Sequence, residues 1–292
     1  MVLAPEQIPK GKAAPAGRRW PRWRRWRVLL IVLATVVAVV LASVAYTVIR
    51  YETRPHPGAK AIGSAVNNFR HSGSSTTDSY GLPSAGVYTL HGQGSERISF
   101  PPNSQQDGAV MPATVKYLPG NCWRWHIDYN TAHAEEFVFC PTAAGLAQPT
   151  NINVQNWNYG AFSVSDTSTV TCPSGTIVLP REASAGQDVS WSCQETNTSV
   201  AGVGHSATKA RIVGLETLRI GSTDVPAVHE LQDTTVSGSQ TGTVTENWWF
   251  DVTNGLPLRI DRQIVIHTDS PLGTITYTES GSWQMASLTP RT

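Results

Sequence analysis

Residues 247–261 read NWWFDVTNGLPLRID, and the register of this segment decides which side chains share a sheet face. A two-residue loop at Asn254-Gly255 would set Trp249 against Ile260 and Phe250 against Arg259. Apolar and polar groups would then mix on both faces, which a half-buried sheet resists. A three-residue loop, Thr253-Asn254-Gly255 with Gly255 in the left-handed conformation, sorts them. Trp248 then faces Ile260, Phe250 faces Leu258 and Val252 faces Leu256. On the opposite face Trp249 lies across from Arg259, an outward pair in which a guanidinium can stack on an indole for ~0.5–1 kcal/mol. Pro257 opposes Asp251 there, where its missing N–H is harmless at a sheet edge or beyond the neighbouring strand's end. The three-residue loop is the expectation.

The same alternation extends outward from this hairpin. In residues 274–286, TITYTESGSWQMA, Ile275, Tyr277, Trp283 and Met285 share one face and Thr274, Thr276, Thr278, Ser280, Ser282 and Gln284 the other. In CWRWHIDYN, 122–130, Trp123, Trp125, Ile127 and Tyr129 alternate with Arg124, His126 and Asp128; EEFVFC, 135–140, puts Phe137 and Phe139 on one side. Further strands are expected near 86–91, 111–118, 161–171, 186–193, 211–220 and 225–236. One buried and one wet face means antiparallel sheet. The fold class is mainly β: one transmembrane helix followed by a curved antiparallel sheet with few short helices, the alternative being a β-sandwich.

The chain has 22 basic and 21 acidic residues, but nine of the basic residues and only Glu6 of the acids fall within the first 50. The remainder, with 13 basic and 20 acidic residues, is acidic. The basic end is therefore a local device, and a nucleic-acid-binding body is excluded. Residues 28–49, VLLIVLATVVAVVLASVAYTVI, carry no charge; as a helix they span ~33 Å at ~1.5 Å per residue, enough for a ~30 Å bilayer core. RRWPRWRRWR precedes them, with Trp20, Trp23 and Trp26 set among arginines as headgroup anchors. Positive charge on this side places the N-terminus in the cytoplasm and the rest outside. A cleaved signal peptide is the competing reading, since Ser43-Val44-Ala45 offers a small-x-small site, but the apolar run continues past it to Ile49. The organisation expected is a basic cytoplasmic tail at 1–27, a membrane helix at 28–49, a stalk at 50–82 in which RPHPGAKAIGSAVNNF could form a short helix, and an extracytoplasmic β domain at 83–292.

All four cysteines, Cys122, Cys140, Cys172 and Cys193, follow the apolar segment. An even number in an exported domain reads as two disulfides. The sequential pairing, Cys122–Cys140 and Cys172–Cys193, is preferred over the other two connectivities because each pair brackets a hairpin-like stretch. A zinc site built on the four lacks any Cys-x-x-Cys knuckle.

Catalytic signatures are weak. VGHSAT, 203–208, has Thr208 where a nucleophile elbow needs its second glycine, and it reads as an exposed loop. His126, His133 and Glu135 could approach one another across the 122–140 hairpin, but their spacing fits no local ligand pattern and they read as solvated surface. No enzyme activity, cofactor or metal is expected. Asn197-Thr198-Ser199 matches a glycosylation sequon, which carries no meaning in the bacterial envelope that the Ala/Val/Arg/Gly-rich style of the chain suggests.

The segment WWFDVTNGLPLRID, with Trp249, Asp251, Gly255, Leu256, Pro257, Leu258 and Arg259, resembles a hairpin of the LolA/LolB carrier superfamily. That group includes RseB-type periplasmic sensor domains and mycobacterial lipid-binding lipoproteins. GLETLRIGSTDVPAVHEL, 214–231, resembles the strand–turn–strand that leads into it. The resemblance covers the C-terminal third. It implies a half-barrel whose concave face shelters acyl chains or another apolar ligand, in a protein that carries or senses and does no chemistry. Trp123, Trp125, Phe137, Phe139, Trp248, Phe250 and Trp283 are the candidate ligand-facing residues; a closed core with no cavity would use the same aromatics. The expected partners are the membrane through the chain's own anchor and a lipid or similar ligand. The alternative is an interaction module contacting an envelope protein or glycan through the outward pair Trp249 and Arg259.

Overall fold

The computed structural model describes residues 22–72, 81–271 and 273–292, and the chain divides into two compact units that meet between Thr53 and Arg54. The expected basic tail lies largely outside the described residues, Trp20 included, as do residues 73–80 of the expected stalk.

The first unit is one helix, α1 (Arg22–Glu52), of 31 residues. Its stretch Trp26–Glu52, whose most apolar 18-residue window has a mean hydropathy of 3.0, is long and apolar enough to cross a membrane, as an anchor or as a signal sequence. Thr35 and Ser43 donate their hydroxyls to the carbonyls of Ile31 and Val39 one turn back, so both polar side chains are satisfied without water.

The second unit begins with α2 (Ile62–His71), which buries Ala65, Val66 and Phe69 against Ala85 and Val87. Gly58 and Thr131 hydrogen-bond each other, backbone to side chain and backbone to backbone. Residues 58–71, expected as stalk, are thus packed on the β domain.

Fourteen strands follow: β1 (Gly86–Ile98), β2 (Asn103–Gln106), β3 (Val110–Leu118), β4 (Cys122–Asp128), β5 (His133–Pro141), β6 (Gly145–Asn158), β7 (Ser163–Thr171), β8 (Ile177–Pro180), β9 (Asp188–Asn197), β10 (Val203–Ile220), β11 (Thr223–Gly238), β12 (Thr241–Asp251), β13 (Pro257–Ser270) and β14 (Gly273–Met285). They form a meander in which successive strands are antiparallel neighbours, with β2 paired to the outlying part of β1 and β8 to β6. The meander closes on itself: β1 pairs with β14 from Leu90↔Met285 to Ile98↔Tyr277. The result is a closed antiparallel barrel of 12 strands.

This overturns both the open half-barrel and the sandwich. Closure removes the free edges that an open sheet must otherwise protect. It is also possible only because β1 lets β14 come close. Gly92, Gly94 and Gly281 face the Trp283 ring, and a methyl group on any of them would enter the space that the indole fills.

The hairpin that opened the sequence reading also differs from its expected form. Trp248↔Ile260 and Trp249↔Arg259 pair as expected, but the register then shifts, so that Phe250 opposes Pro257 and Leu258 bulges out of step. Asp251, not Val252, donates its backbone N–H to the Leu256 carbonyl, and Gly255 closes the turn by donating to the Asp251 carbonyl with φ at 71°. The cause lies in side-chain hydrogen bonding. Asp251 Oδ1 accepts from the Thr253 backbone N–H and hydroxyl, and Asn254 Oδ1 from the Leu256 N–H. These local bonds favour a longer turn over ladder pairing, and Pro257 has no N–H to lose by it. Val252 is left exposed while Leu256, Pro257 and Leu258 are all buried.

The disulfides join Cys122 to Cys140 and Cys172 to Cys193. Each continues a ladder by one step: Trp123↔Phe139 precedes the first bridge and Thr171↔Gln194 the second. The β7–β9 seam pairs only Ser168–Thr171 with Gln194–Asn197, so Cys172–Cys193 staples the shortest ladder in the ring.

Candidate functional site

Strand alternation sends every second side chain into the barrel. Along β13 these are Leu258, Ile260, Arg262, Ile264, Ile266 and Thr268; along β14, Ile275, Tyr277, Glu279, Trp283 and Met285. The inward residues change character along the barrel axis, and three zones result.

One end is filled. Trp123, Trp125, Phe137, Phe139, Trp248, Phe250 and Trp283 all belong to one buried cluster together with Leu256, Leu258 and Leu146. Trp123 and Phe139 pack at 4.8 Å, Phe137 meets Trp248 edge-on at 5.2 Å, and Trp248 stacks on Phe250 at 5.5 Å. All seven candidate ligand-facing aromatics are therefore brought together, but five of them form a solid plug. Among the seven, only Phe137 and Trp248 reach the cavity above.

A layer of buried charge crosses the lumen next. Arg262 Nη1 lies 2.7 Å from Glu135 Oε2 and 3.4 Å from Glu279 Oε1, while its Nε lies 2.6 Å from Glu246 Oε1. Burial opposes its charge, but the carboxylates of Glu135, Glu246 and Glu279 outweigh that and hold the guanidinium firmly protonated. Tyr129 donates to Glu135 Oε2 at 3.0 Å and Asn151 to Glu135 Oε1 at 2.9 Å. Tyr277 Oη sits 2.6 Å from Glu279 and 3.1 Å from Glu96, and Gln155 donates to Glu96 at 2.9 Å. Burial pushes the Glu246 carboxyl up despite the arginine. Around this layer β1, β5, β6, β12, β13 and β14, with Tyr129 just after β4, are tied together by side chains as well as by their ladders.

Beyond the charges the lumen opens into a cavity of about 710 Å³. Its walls carry Val170, Trp191, Val244, Ile264, Ile266 and Ile275, interspersed with Ser168, Ser206, Thr208, Gln232 and Thr234. Glu135, Glu246, Arg262 and Glu279 border it on one side. On another, residues of the connections β1–β2, β6–β7, β9–β10, β11–β12 and β13–β14 line it, Pro101, Tyr159, Val200, Gln240 and Pro271 among them. An interior this wide is what closure of 12 strands leaves, since about eight strands suffice for side chains to fill the centre.

Several sequence readings change here. VGHSAT is part of β10, not an exposed loop, and its Ser206 and Thr208 face the cavity. His133 and Glu135 are buried in the barrel and not solvated, because their strand places them on the inner face with Phe137 and Phe139. His126 does lie on the outer face, between Asp128 and Glu136, so the three residues form no common site. Trp249 points outward but is only 6% exposed. His229 stacks on it at 4.2 Å from β11, Arg259 lies 4.6 Å over it from β13, and its indole N–H donates to Glu216 at 2.8 Å. The expected surface pair is therefore an occupied aromatic sandwich with no free indole face.

Sequence reasoning passed over Arg262, Glu279, Glu246 and Glu96. A signal existed for two of them. Arg262 sits in phase with Leu258, Ile260, Ile264 and Ile266, and Glu279 in phase with Tyr277 and Trp283. A lone charge on an otherwise apolar strand face marks a buried ionic group.

Comparison with known proteins adds little. No family model matches the chain, and no curated protein matches it. Among solved structures, the hypothetical lipoprotein YmcC from Escherichia coli is similar over 65% of this chain and 83% of its own, at 14% identity and a TM-score of 0.34. A likeness of that degree decides neither fold nor role.

Proposed function

We propose that this chain is a membrane-tethered, extracytoplasmic binding protein whose barrel lumen holds an amphiphilic molecule, and that it performs no chemistry. The observation that carries the reading is the cavity of about 710 Å³ with one charged, hydrogen-bonding border and aliphatic walls. A ligand with an apolar body would bury it along Val170, Val244, Ile264 and Ile266, and a polar group at one end would meet Arg262, Glu246 and Gln155. Lumens of this size suit a lipid-sized or drug-sized molecule. The basic flank of α1 favours a cytoplasmic N-terminus, and two disulfides favour an oxidising compartment for the barrel. The competing reading, an envelope module that recognises a protein or glycan through Trp249, loses its support because the indole is covered on both sides.

The test is extraction of the full chain purified in polymer-bounded membrane discs, compared with Ile264→Trp, which fills the lumen. Wild type should yield an amphiphile in near-stoichiometric amount beyond what the variant yields. Lipid surrounding α1 is common to both and cancels. Equal recovery from the two chains, with both folded, would refute a lumenal ligand.

A further inference from the structure

Near the charged layer three side chains from separate segments converge, and the lumenal reading uses none of them. They are Glu96 of β1, Asp107 just after β2, and His133 at the start of β5. One potential ligand atom from each lies within 4.8 Å of the other two. Glu96 and His133 are 1% and 2% exposed, yet Glu96 Oε1 and His133 Nδ1 each lack a hydrogen-bond partner. They face each other at 3.4 Å. Buried polar atoms are hydrogen-bonded in the great majority of cases, so two whose contact is one long ion pair, beside a third carboxylate, require a reason.

We propose that Glu96, Asp107 and His133 bind one divalent transition-metal cation of the zinc type. Two carboxylate oxygens and one imidazole nitrogen make the mixed oxygen–nitrogen set that such ions accept, with a fourth position left for water. The surroundings are arranged as an outer shell would be. Glu96 Oε2 accepts from Gln155 at 2.9 Å and lies 3.1 Å from the Tyr277 hydroxyl, which leaves Oε1 directed at the cluster. His133 Nε2 sits 2.9 Å from the side-chain amide of Asn153. The amide nitrogen Nδ2 is the atom that faces Nε2; with the amide flipped, its oxygen would accept from Nε2–H and fix the tautomer whose Nδ1 lone pair points at the cation. Charge argues the same way. Arg262 is engaged by Glu135, Glu246 and Glu279, so among the described residues the cationic partner of Glu96 is His133. Asp107, the least buried of the three, gives the cluster its connection to solvent. Binding requires the three atoms to close to ~2.0–2.2 Å from the ion, a movement within reach of side-chain rotation.

The test uses the full-length chain in detergent, stripped with a chelator and then given zinc or cobalt. Wild type should retain one zinc per chain after desalting and melt at a higher temperature with zinc than without. With cobalt it should show the visible bands of a four-coordinate site. Asp107→Asn, at the least buried of the three positions, should weaken zinc binding at least about tenfold, and Asn153→Leu should weaken it about 10–100-fold as an outer-shell loss. Absence of stoichiometric zinc and of cobalt bands in the wild-type chain would overturn the proposal, and so would retention unchanged in Asp107→Asn. The wild-type measurements stand even where a variant fails to fold.

Discussion

Arg262 of β13 and Glu135 of β5 meet at 2.7 Å across the interior of the barrel, joining strands that lie far apart around the ring. Glu246, the arginine's ladder partner on β12, and Glu279 of β14 reach it from its own hairpins, whereas Glu135 reaches it only across the lumen. Removing the arginine leaves Glu135, Glu246 and Glu279 buried without their shared cation. Arg262→Met should therefore cost about 3–5 kcal/mol in denaturant unfolding. Arg262→Lys should recover only part of this, because a point charge cannot serve Nε and Nη1 partners in one plane.

Trp249 gives a second test, since its position and its burial point in different directions. Were it an exposed outer residue, truncation would change stability by less than about 1 kcal/mol. Sandwiched between His229 and Arg259, it should cost about 3 kcal/mol as alanine. Trp249→Phe keeps the stacking and loses the Glu216 bond, at about 1 kcal/mol. Thermal or chemical denaturation of the two variants side by side separates packing from hydrogen bonding.

Glu230 predicts a pH dependence. It is fully buried on β11, and burial raises its carboxyl to about 8, with Gln232 opposing and Glu246 assisting the rise. A carboxyl raised above its unfolded value favours the folded state while it is protonated. That contribution is fully present below about pH 4.5, declines as pH rises, and is gone once pH passes about 8. Glu230→Gln, which stays neutral, should flatten this decline, and its stability relative to wild type should be greatest near pH 9. Melting temperatures across that range check the sign; a steeper decline in the variant would contradict it.

The glycines around Trp283 give a third structural prediction. Gly281→Ala places a methyl group where the indole lies, so either the ring or the β1–β14 seam must move. Overpacking of this kind costs about 1–3 kcal/mol. Because the displaced contact sits on the closing ladder, amide exchange should speed up in β1 and β14 first, and little in β4 and β5.

Replacing Cys172 and Cys193 with serine acts on the other weak seam. The pair follows the short β7–β9 ladder directly, and the chain-entropy model assigns a loop of this length about 3 kcal/mol. Amide exchange in Ser168–Thr171 and Gln194–Asn197 should rise more than in the β13–β14 hairpin, which pairs from Arg259↔Gln284 to Ser270↔Gly273.

Local pattern carried much of the strand content. Trp123, Trp125, Phe137, Phe139, Trp283 and Met285 show the alternation because they meet the apolar plug, and there sequence and structure agree. β6 gave no such signal. Its inner residues include Asn151, Asn153 and Gln155, which face the charged layer and the cavity, so polar groups occupy both of its sides. The amino half of β10 was passed over for the same reason, with Ser206 and Thr208 on its inner face. A lumen with a polar zone erases the apolar–polar contrast that sequence reading depends on. The ion network was legible only at Arg262 and Glu279, where a charge interrupts an apolar face; Glu96 and Asp107 sit in polar stretches that look like surface.

The sequence by itself determined the apolar N-terminal helix, the predominance of antiparallel strands and the pairing of Trp248 with Ile260 and Trp249 with Arg259. These depend on composition and on contacts between near neighbours in the chain. Tertiary structure alone decided that the sheet closes, that Trp249 is covered and that Glu96, Asp107 and His133 converge. Closure pairs Leu90 with Met285, and the converging residues come from three segments. Neither depends on local periodicity, because each follows from how far the sheet curves before its first and last strands meet.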